Sequence, residues 1–369
     1  MDTFAFIIHP IDPKRDVSRK FPLLGKYLTE SQIDFFSTFF PPVFLSEIEG
    51  IRSAATGKEV KGWFIACPYT PQRMLQLPVN TVYRKLVQTG KMAQRLGAKI
   101  LGLGAYTSVI GDGGISVADQ LLVPVTTGDS YTIAVAVQAI EEAADLMDIP
   151  MYNASAAVVG ATGAIGRVCA SLLAKKVKSL YLIGRRQSAL DNIRRDLLRE
   201  GATAALQAST NVADVSHAQL IMAVTSSLDA VIQPEHLQPG SVVCDVARPR
   251  DVSSKVAAAR DDVLVIDGGM VDVPGPVQFN FDFGLPPGKA YACMAETIAL
   301  ALEGRFEDYT LGKSITRARV EEIDAMAKKH GFKLSGFRSF EKPVTNEQIN
   351  TVREQAHKIK KNRKIERYQ

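Results

Sequence analysis

The stretch Ser155-Ala-Ala-Val-Val-Gly160-Ala-Thr-Gly163-Ala-Ile-Gly166 decides the fold. Small and β-branched residues run into Gly160, two further glycines follow at three-residue spacing, and an apolar helical run starts at Val168. This is a buried strand, a tight turn and a helix start. Such a turn holds a dinucleotide pyrophosphate, because glycines let the backbone come close and the free N–H groups at the helix start face the negative charge. Gly160, Thr162, Gly163, Ala164, Ile165 and Gly166 are therefore candidate cofactor-binding residues.

Working outward, Ser179 to Gly184, Ala218 to Thr225, Ser241 to Val246 and Val263 to Asp267 are short apolar runs separated by helical or turn-rich segments. That alternation predicts parallel strands with crossover helices. At the end of the second strand, where an Asp or Glu would accept a free ribose hydroxyl, stand Arg185 and Arg186. Two guanidiniums suit a 2′-phosphate, so the expected cofactor is NADPH. Thr225 and Ser226, ending a later strand, complete the candidate cofactor set.

Before this fold the chain reads as a second α/β unit. Phe4 to His9, Gly62 to Ala66, Lys99 to Gly104 and Leu121 to Val125 read as strands, and Thr81 to Leu96 as a helix whose Arg84, Gln88, Lys91 and Arg95 share one face. That basic face could dock an acidic carrier protein. The phenylalanine-rich stretch from Phe21 to Phe44 reads as core, with the wall of an apolar tunnel as the alternative. The loops after the last two strands carry Tyr106, Thr107 and Ser108, then Thr127 and Gly128; these are candidate substrate residues, because ligands sit at the carboxyl ends of strands. Asp129 or Ser130 is suited to cap the helix that runs on to about Met147.

Hydrophobic residues make up 46% and charged residues 22% of the 369-residue chain, an ordinary balance for a globular protein. No apolar run reaches membrane-spanning length and Met1-Asp-Thr-Phe4 lacks a signal pattern, so a cytoplasmic location is expected. The four cysteines and five histidines lack metal-ligand spacing, and no metal is expected. The formal charge of +5 has one source, the last twenty residues, where seven Lys or Arg face Glu354 and Glu366. This tail reads as a solvated or disordered end, with peripheral membrane contact as a minority reading, and no nucleic-acid motif is present.

After the last strand come a Pro-, Gly- and Phe-rich loop, Pro274 to Gly288, and a helical stretch that Gly304 would end. Cys293 falls in the first turn of that helix. There free N–H groups and the helix dipole favour a thiolate, and Lys289 could add to the effect. Cys293 is thus the candidate nucleophile. Glu296, one turn on, could orient or deprotonate a reactant.

Several segments together resemble the long-chain acyl-acyl-carrier-protein reductases of the cyanobacterial type, which form fatty aldehydes. They are Arg15 to Arg19, Ala55 to Lys58, Gly102-Leu-Gly-Ala-Tyr-Thr-Ser108, Thr126-Thr-Gly128, Val159 to Gly166, Gly268-Gly269, Ala292-Cys293 with Ala295-Glu296, and His330-Gly-Phe332. The resemblance runs from about Phe4 to Phe332; the Pro274 to Gly288 loop departs from the pattern and the basic tail is additional. It implies that Cys293 takes the acyl group from acyl-carrier protein or acyl-CoA, and that NADPH reduces the enzyme thioester to an aldehyde.

The expected architecture is α/β: an N-terminal α/β substrate domain (1–150), a Rossmann-type doubly wound parallel sheet (151–285), a helical segment carrying the cysteine (286–335) and the basic tail (336–369). Two other readings fit parts of the sequence. Asp245-Val-Ala-Arg-Pro249 after a Rossmann strand suits a dehydrogenase of the shikimate or amino-acid type acting on a small polar substrate. A non-catalytic NADPH-binding protein would need no nucleophile.

Overall fold

Phe4, Ala5, Phe6 and Ile7 are all buried, so the first strand of the computed structural model, β1 (Asp2–Ile8), is covered on both faces and lies inside a sheet. The structure describes residues 1–227, 229–247 and 250–366, with side chains as far as Asn362. The chain divides into two compact units, one of Met1–Tyr131 with Val271–Ser335, the other of Thr132–Met270 with the residues from Gly336 onward.

In the first unit β2 (Val43–Arg52), β3 (Glu59–Ala66), β4 (Leu101–Leu103) and β5 (Val125–Thr126) join β1 in the order β2-β3-β1-β4-β5. All neighbours are parallel except β2, which runs antiparallel to β3. β2 escapes the sequence reading because it is an edge strand whose polar residues face water, so it shows no apolar run. Period-2 alternation sends Ala5, Ile7, Leu101 and Leu103 to one face, against Val82, Leu86 and Ala93 of the helix Val79–Arg95. Phe6 packs on the other face, beside the helix Ala292–Glu303. Gly102 makes that packing possible: a Cβ there would lie 2.2 Å from Thr297 Oγ1 and 2.4 Å from the Phe6 ring.

The phenylalanine-rich segment is not core. Phe35 is 54% and Phe39 71% exposed, and their rings meet edge-on 5.8 Å apart at the surface. The inward side of the short helix Glu30–Ser37 is taken by Ile33, Ser37 and Asp34, whose carboxylate pairs with Arg73 at 2.6 Å, so Phe35 and Phe36 are left outside.

In the second unit β6 (Ser155–Val159), β7 (Ser179–Ile183), β8 (Ala205–Ser209), β9 (Leu220–Ala223), β10 (Val242–Asp245) and β11 (Leu264–Asp267) form one parallel sheet in the order β11-β10-β9-β6-β7-β8. Counted from β6 this is the doubly wound Rossmann order, with its switch point at β6, where the glycine turn lies.

Along the chain the units change after Tyr131, Met270 and Ser335. From Thr132 onward the helix Asp129–Leu146 belongs with the Rossmann sheet, where the Cys244 thiol lies 3.9 Å from the Ala136 carbonyl. From Val271 onward the chain belongs with the first sheet, where Gln278 bridges to Glu49 beside β2. The basic tail is neither wholly solvated nor structureless. It forms the helix Asn346–Glu366, which buries Ile349 and Ala356 at seven-residue spacing while Arg353 donates to the Leu146 carbonyl at 3.0 Å. Arg367 lies outside the described residues. Among those residues no helix is long and apolar enough to cross a membrane.

Candidate active site

Gly160 ends β6 at φ +91, and its N–H and that of Ala161 donate to the Ile183 carbonyl at 2.9 and 3.0 Å. Gly166 brings the helix Ala164–Leu173 against the strand: a Cβ there would lie 2.2 Å from the Gly160 carbonyl oxygen. Thr162 and Gly163 are exposed at the tip, Ala164 and Ile165 half-buried behind it. A Cβ on Gly184, at the end of β7, would lie 3.4 Å from the Thr162 side chain, so the turn and the start of Arg185-Arg186 are neighbours. Both arginines are exposed. Thr225 is engaged elsewhere, donating through its N–H at 2.7 Å and through its hydroxyl to Asp251, whose carboxyl burial raises to about 6; Ser226 is exposed beside it. Asp245 accepts from the N–H groups of Ala247 and Val252 at 3.1 and 3.0 Å, which makes it the anchor of the following loop; Arg248 and Pro249 lie outside the described residues.

In the first unit the helix Ala292–Glu303 follows Tyr291, in extended conformation, and ends at Gly304 with φ +77, as its sequence predicts. Cys293 is in the first turn and half-buried, between buried Ala292 and Met294. Gly128 presses on it: a Cβ there would fall 2.2 Å from Cys293 Cα, and its φ of +77 suits glycine alone. From a third segment, the Ala105 N–H is directed at the Cys293 sulfur. Ala105 adopts φ +50 and ψ −126, a strained backbone for a residue with a Cβ. Its neighbours enforce it. The Tyr106 N–H donates to His9 Nε2 at 3.0 Å, the Thr107 hydroxyl to the Gly104 carbonyl at 2.8 Å, and the Ser108 hydroxyl to the Ala105 carbonyl at 2.7 Å. Tyr106, Thr107 and Ser108 are all buried, so their hydrogen bonds shape the turn beneath Cys293.

Glu296 is fully buried. Its carboxylate accepts from the Thr126 hydroxyl at 2.5 Å, the Thr310 hydroxyl at 2.8 Å, the Tyr131 N–H at 2.8 Å and the Gly128 N–H. It thereby ties the 126–131 loop to the cysteine helix. Thr127 is buried within this loop, its N–H donating to the Thr310 carbonyl at 2.9 Å. Burial still raises the Glu296 carboxyl above the ordinary range, against those bonds.

The expectation of a resting thiolate does not hold. Burial first, then the charge of Asp129, pushes the Cys293 thiol up to about 12, with the Ala105 and Met294 N–H groups pulling the other way. Lys289 does not help, since its ammonium pairs with Asp272 at 2.7 Å and contacts the Ser335 hydroxyl. The neighbour that matters is Asp129. Burial, then the Glu296 charge, raises its carboxyl to about 7. The folded chain therefore holds the Asp129 proton to higher pH than the unfolded chain does, and Asp129 weakens the fold as pH rises from about 4 through about 7. Asp129→Asn is expected to be more stable than wild type by about 2 kcal/mol above pH 7, with the gap closing toward pH 4 in denaturant titrations.

Residues 141–267 match the family described as Shikimate / quinate 5-dehydrogenase. Over 345 residues the chain is 30% identical to a long-chain acyl-[acyl-carrier-protein] reductase of Synechococcus elongatus, covering 89% of this chain and 98% of that protein. The chain belongs to the long-chain acyl-[acyl-carrier-protein] reductase family. A second relative of this family member, the aminotransferase PigE of a Serratia species, is 31% identical over 96% of the chain, which spans only 42% of PigE. Among solved structures, L-tryptophan dehydrogenase from Nostoc punctiforme aligns over 98% of this chain and 89% of its own, at 11% identity and a TM-score of 0.42. The reductase family and the Rossmann fold are those of NAD(P)-dependent oxidoreductases. Asp129, Ala105 and His9 are the features of this reductase-family site that sequence reading missed. Only Asp129 carried a signal, as a carboxylate directly after the Thr126-Thr-Gly128 loop.

Proposed function

We propose that the chain reduces a long-chain acyl thioester, acyl-carrier protein or acyl-CoA, to the fatty aldehyde with NADPH, through an acyl group held on Cys293. The observation that carries this reading is Cys293 itself: half-open in the first turn of a buried helix, with Gly128 against its backbone and the Ala105 N–H aimed at its sulfur. A fixed N–H at that sulfur favours the thiolate at the moment of attack and its departure later. Ala105 and the helix-start N–H groups are the donors for charge developing at the reacting carbonyl, the part that Thr107 and Ser108 cannot take with their hydroxyls committed to the turn. Glu296 acts as a positioning residue, holding the loop of Gly128 and Asp129 in register with Cys293.

The glycine turn fits a dinucleotide, because Gly160 and Gly166 let strand, turn and helix start pack so closely that a Cβ at either would strike the chain's own backbone, Gly163 is exposed at the tip, and Arg185 and Arg186 carry no ion pair among the described residues. Gly160 to Gly166 would hold the pyrophosphate and the arginines a 2′-phosphate; when bound, the nicotinamide supplies the hydride. Replacing both arginines by alanine is expected to raise KM for NADPH about 10- to 100-fold and to leave that for NADH nearly unchanged, measured by steady-state kinetics with each cofactor.

The direct test of the reading is aldehyde formation from hexadecanoyl thioesters of CoA and of carrier protein, in step with NADPH oxidation. The dehydrogenase reading draws on the 141–267 match, which lies within the nucleotide-binding half of the chain. Turnover of a hydroxy or amino acid with no aldehyde from either thioester would favour it.

A further inference from the structure

Cys293 rests as a thiol, so the acyl transfer just proposed needs a group to take its proton. The titratable side chains around it are restricted. Glu296 is fully buried with its oxygens engaged by Thr126, Thr310 and the Tyr131 and Gly128 N–H groups. Lys289 is paired with Asp272. His9 uses Nε2 to accept from the Tyr106 N–H, and burial lowers its ring to about 4, so it is neutral and occupied. Asp129 is different. It follows Gly128, whose backbone touches that of Cys293, and it is half-buried in a loop whose other members, Thr126, Thr127, Gly128 and Ser130, are fully buried. Asp129 and Cys293 are thus two half-buried, chemically active side chains on touching backbone segments, each in the first turn of a helix of twelve residues or more and close enough for charge on one to act on the other.

Resting on the reading of Cys293 as acyl acceptor, we propose that Asp129 is the proton carrier of the acyl-transfer step. Its carboxylate takes the proton from Cys293 Sγ as the sulfur bonds to the thioester carbonyl carbon. The carbon–sulfur bond to the carrier breaks, the electron pair leaves with the carrier sulfur, and Asp129 delivers the proton to it. One carbon–sulfur bond forms, one breaks, and nothing is oxidised or reduced. The mutual repulsion of a Cys293 thiolate and an Asp129 carboxylate supports this route, since moving the proton from one to the other removes that repulsion and losing it to water does not. The titratable groups facing Asp129 are the Glu296 carboxylate and the Cys293 thiol, both on the neighbouring helix.

The test uses the full chain without NADPH. Hexadecanoyl-CoA is mixed with protein from pH 5.5 to 9.5 and the acyl-enzyme followed by intact mass, and iodoacetamide alkylation of Cys293 is followed in parallel. In wild type, acylation is expected to rise with pH through about 7 and then level, as Asp129 loses its proton. Asp129→Asn is expected to acylate about 100-fold more slowly and to lose that inflection, while alkylation at pH 9 stays the same or quickens. Asp129→Glu should recover part of the rate. Acylation by Asp129→Asn at the wild-type rate and pH profile would overturn the proposal, and so would acylation and alkylation falling together, the mark of a structural role. If wild type accepts no acyl group from CoA or carrier-protein thioesters, the reading of Cys293 falls and the proposal with it.

Discussion

Cys293→Ala is expected to lose aldehyde formation by about 10⁴-fold or more, while its fold and its NADPH affinity stay those of wild type. The physical case is the division of labour in the chain. Cys293 lies in the first unit, with Gly128, Ala105 and Glu296 arranged around it, and the glycine turn that fits the dinucleotide belongs to the second unit's own sheet. Removing one sulfur leaves the packing of Ala292, Met294 and Ala295 intact, because Cys293 is half-open and an alanine fits where it stood. Intact-mass measurement with hexadecanoyl-CoA should show an acyl-sized gain in wild type and none in the variant. NADPH titration followed by fluorescence should give equal affinities. Retention of more than about 1% of the aldehyde-forming rate would show that the reaction passes through no acyl group on this residue.

Glu296→Ala is expected to cost about 3 kcal/mol or more of stability, the second largest effect, and to lower activity through disorder of the 126–131 loop. Truncation leaves the hydroxyls of Thr126 and Thr310 and the N–H groups of Tyr131 and Gly128 facing a cavity, and buried donors without an acceptor are costly. Glu296→Gln keeps one acceptor oxygen and should lose less. The pH dependence carries a sign. Burial raises the Glu296 carboxyl, so the folded chain binds its proton more tightly than the unfolded chain, and the wild-type side chain weakens the fold as pH rises out of the ordinary carboxylate range. The deficit of Glu296→Gln relative to wild type should therefore shrink as pH is raised, read from urea midpoints at pH 5 and pH 8. A deficit that grows with pH would mean that Glu296 is held ionised by its donors.

The Rossmann half was legible because its signals are local. The run into Gly160, the spacing of Gly163 and Gly166, and the short apolar strands each depend on neighbours in sequence, whereas the strand order β11-β10-β9-β6-β7-β8 comes from the folded sheet. Edge strands β2 and β8 were not legible, since a half-wet strand has no continuous apolar run to read. Phe35 and Phe36 misled for the opposite reason. Apolar character favours burial, but the inward side of their short helix was claimed by Ile33 and by the Asp34–Arg73 pair.

The sequence by itself determined that Cys293 stands in the first turn of an apolar helix ended by Gly304, and that a dinucleotide turn lies at Gly160 to Gly166, because helix starts, caps and glycine turns are set by residues a few positions apart. Tertiary structure alone decided the chemistry of that cysteine. Its sulfur meets the Ala105 N–H and the field of Asp129, and its backbone meets Gly128, groups drawn from separate stretches of chain, and burial among them sets its charge state. Desolvation and through-space charge depend on distance in the folded molecule and not on distance along the chain, so neither can be read from spacing.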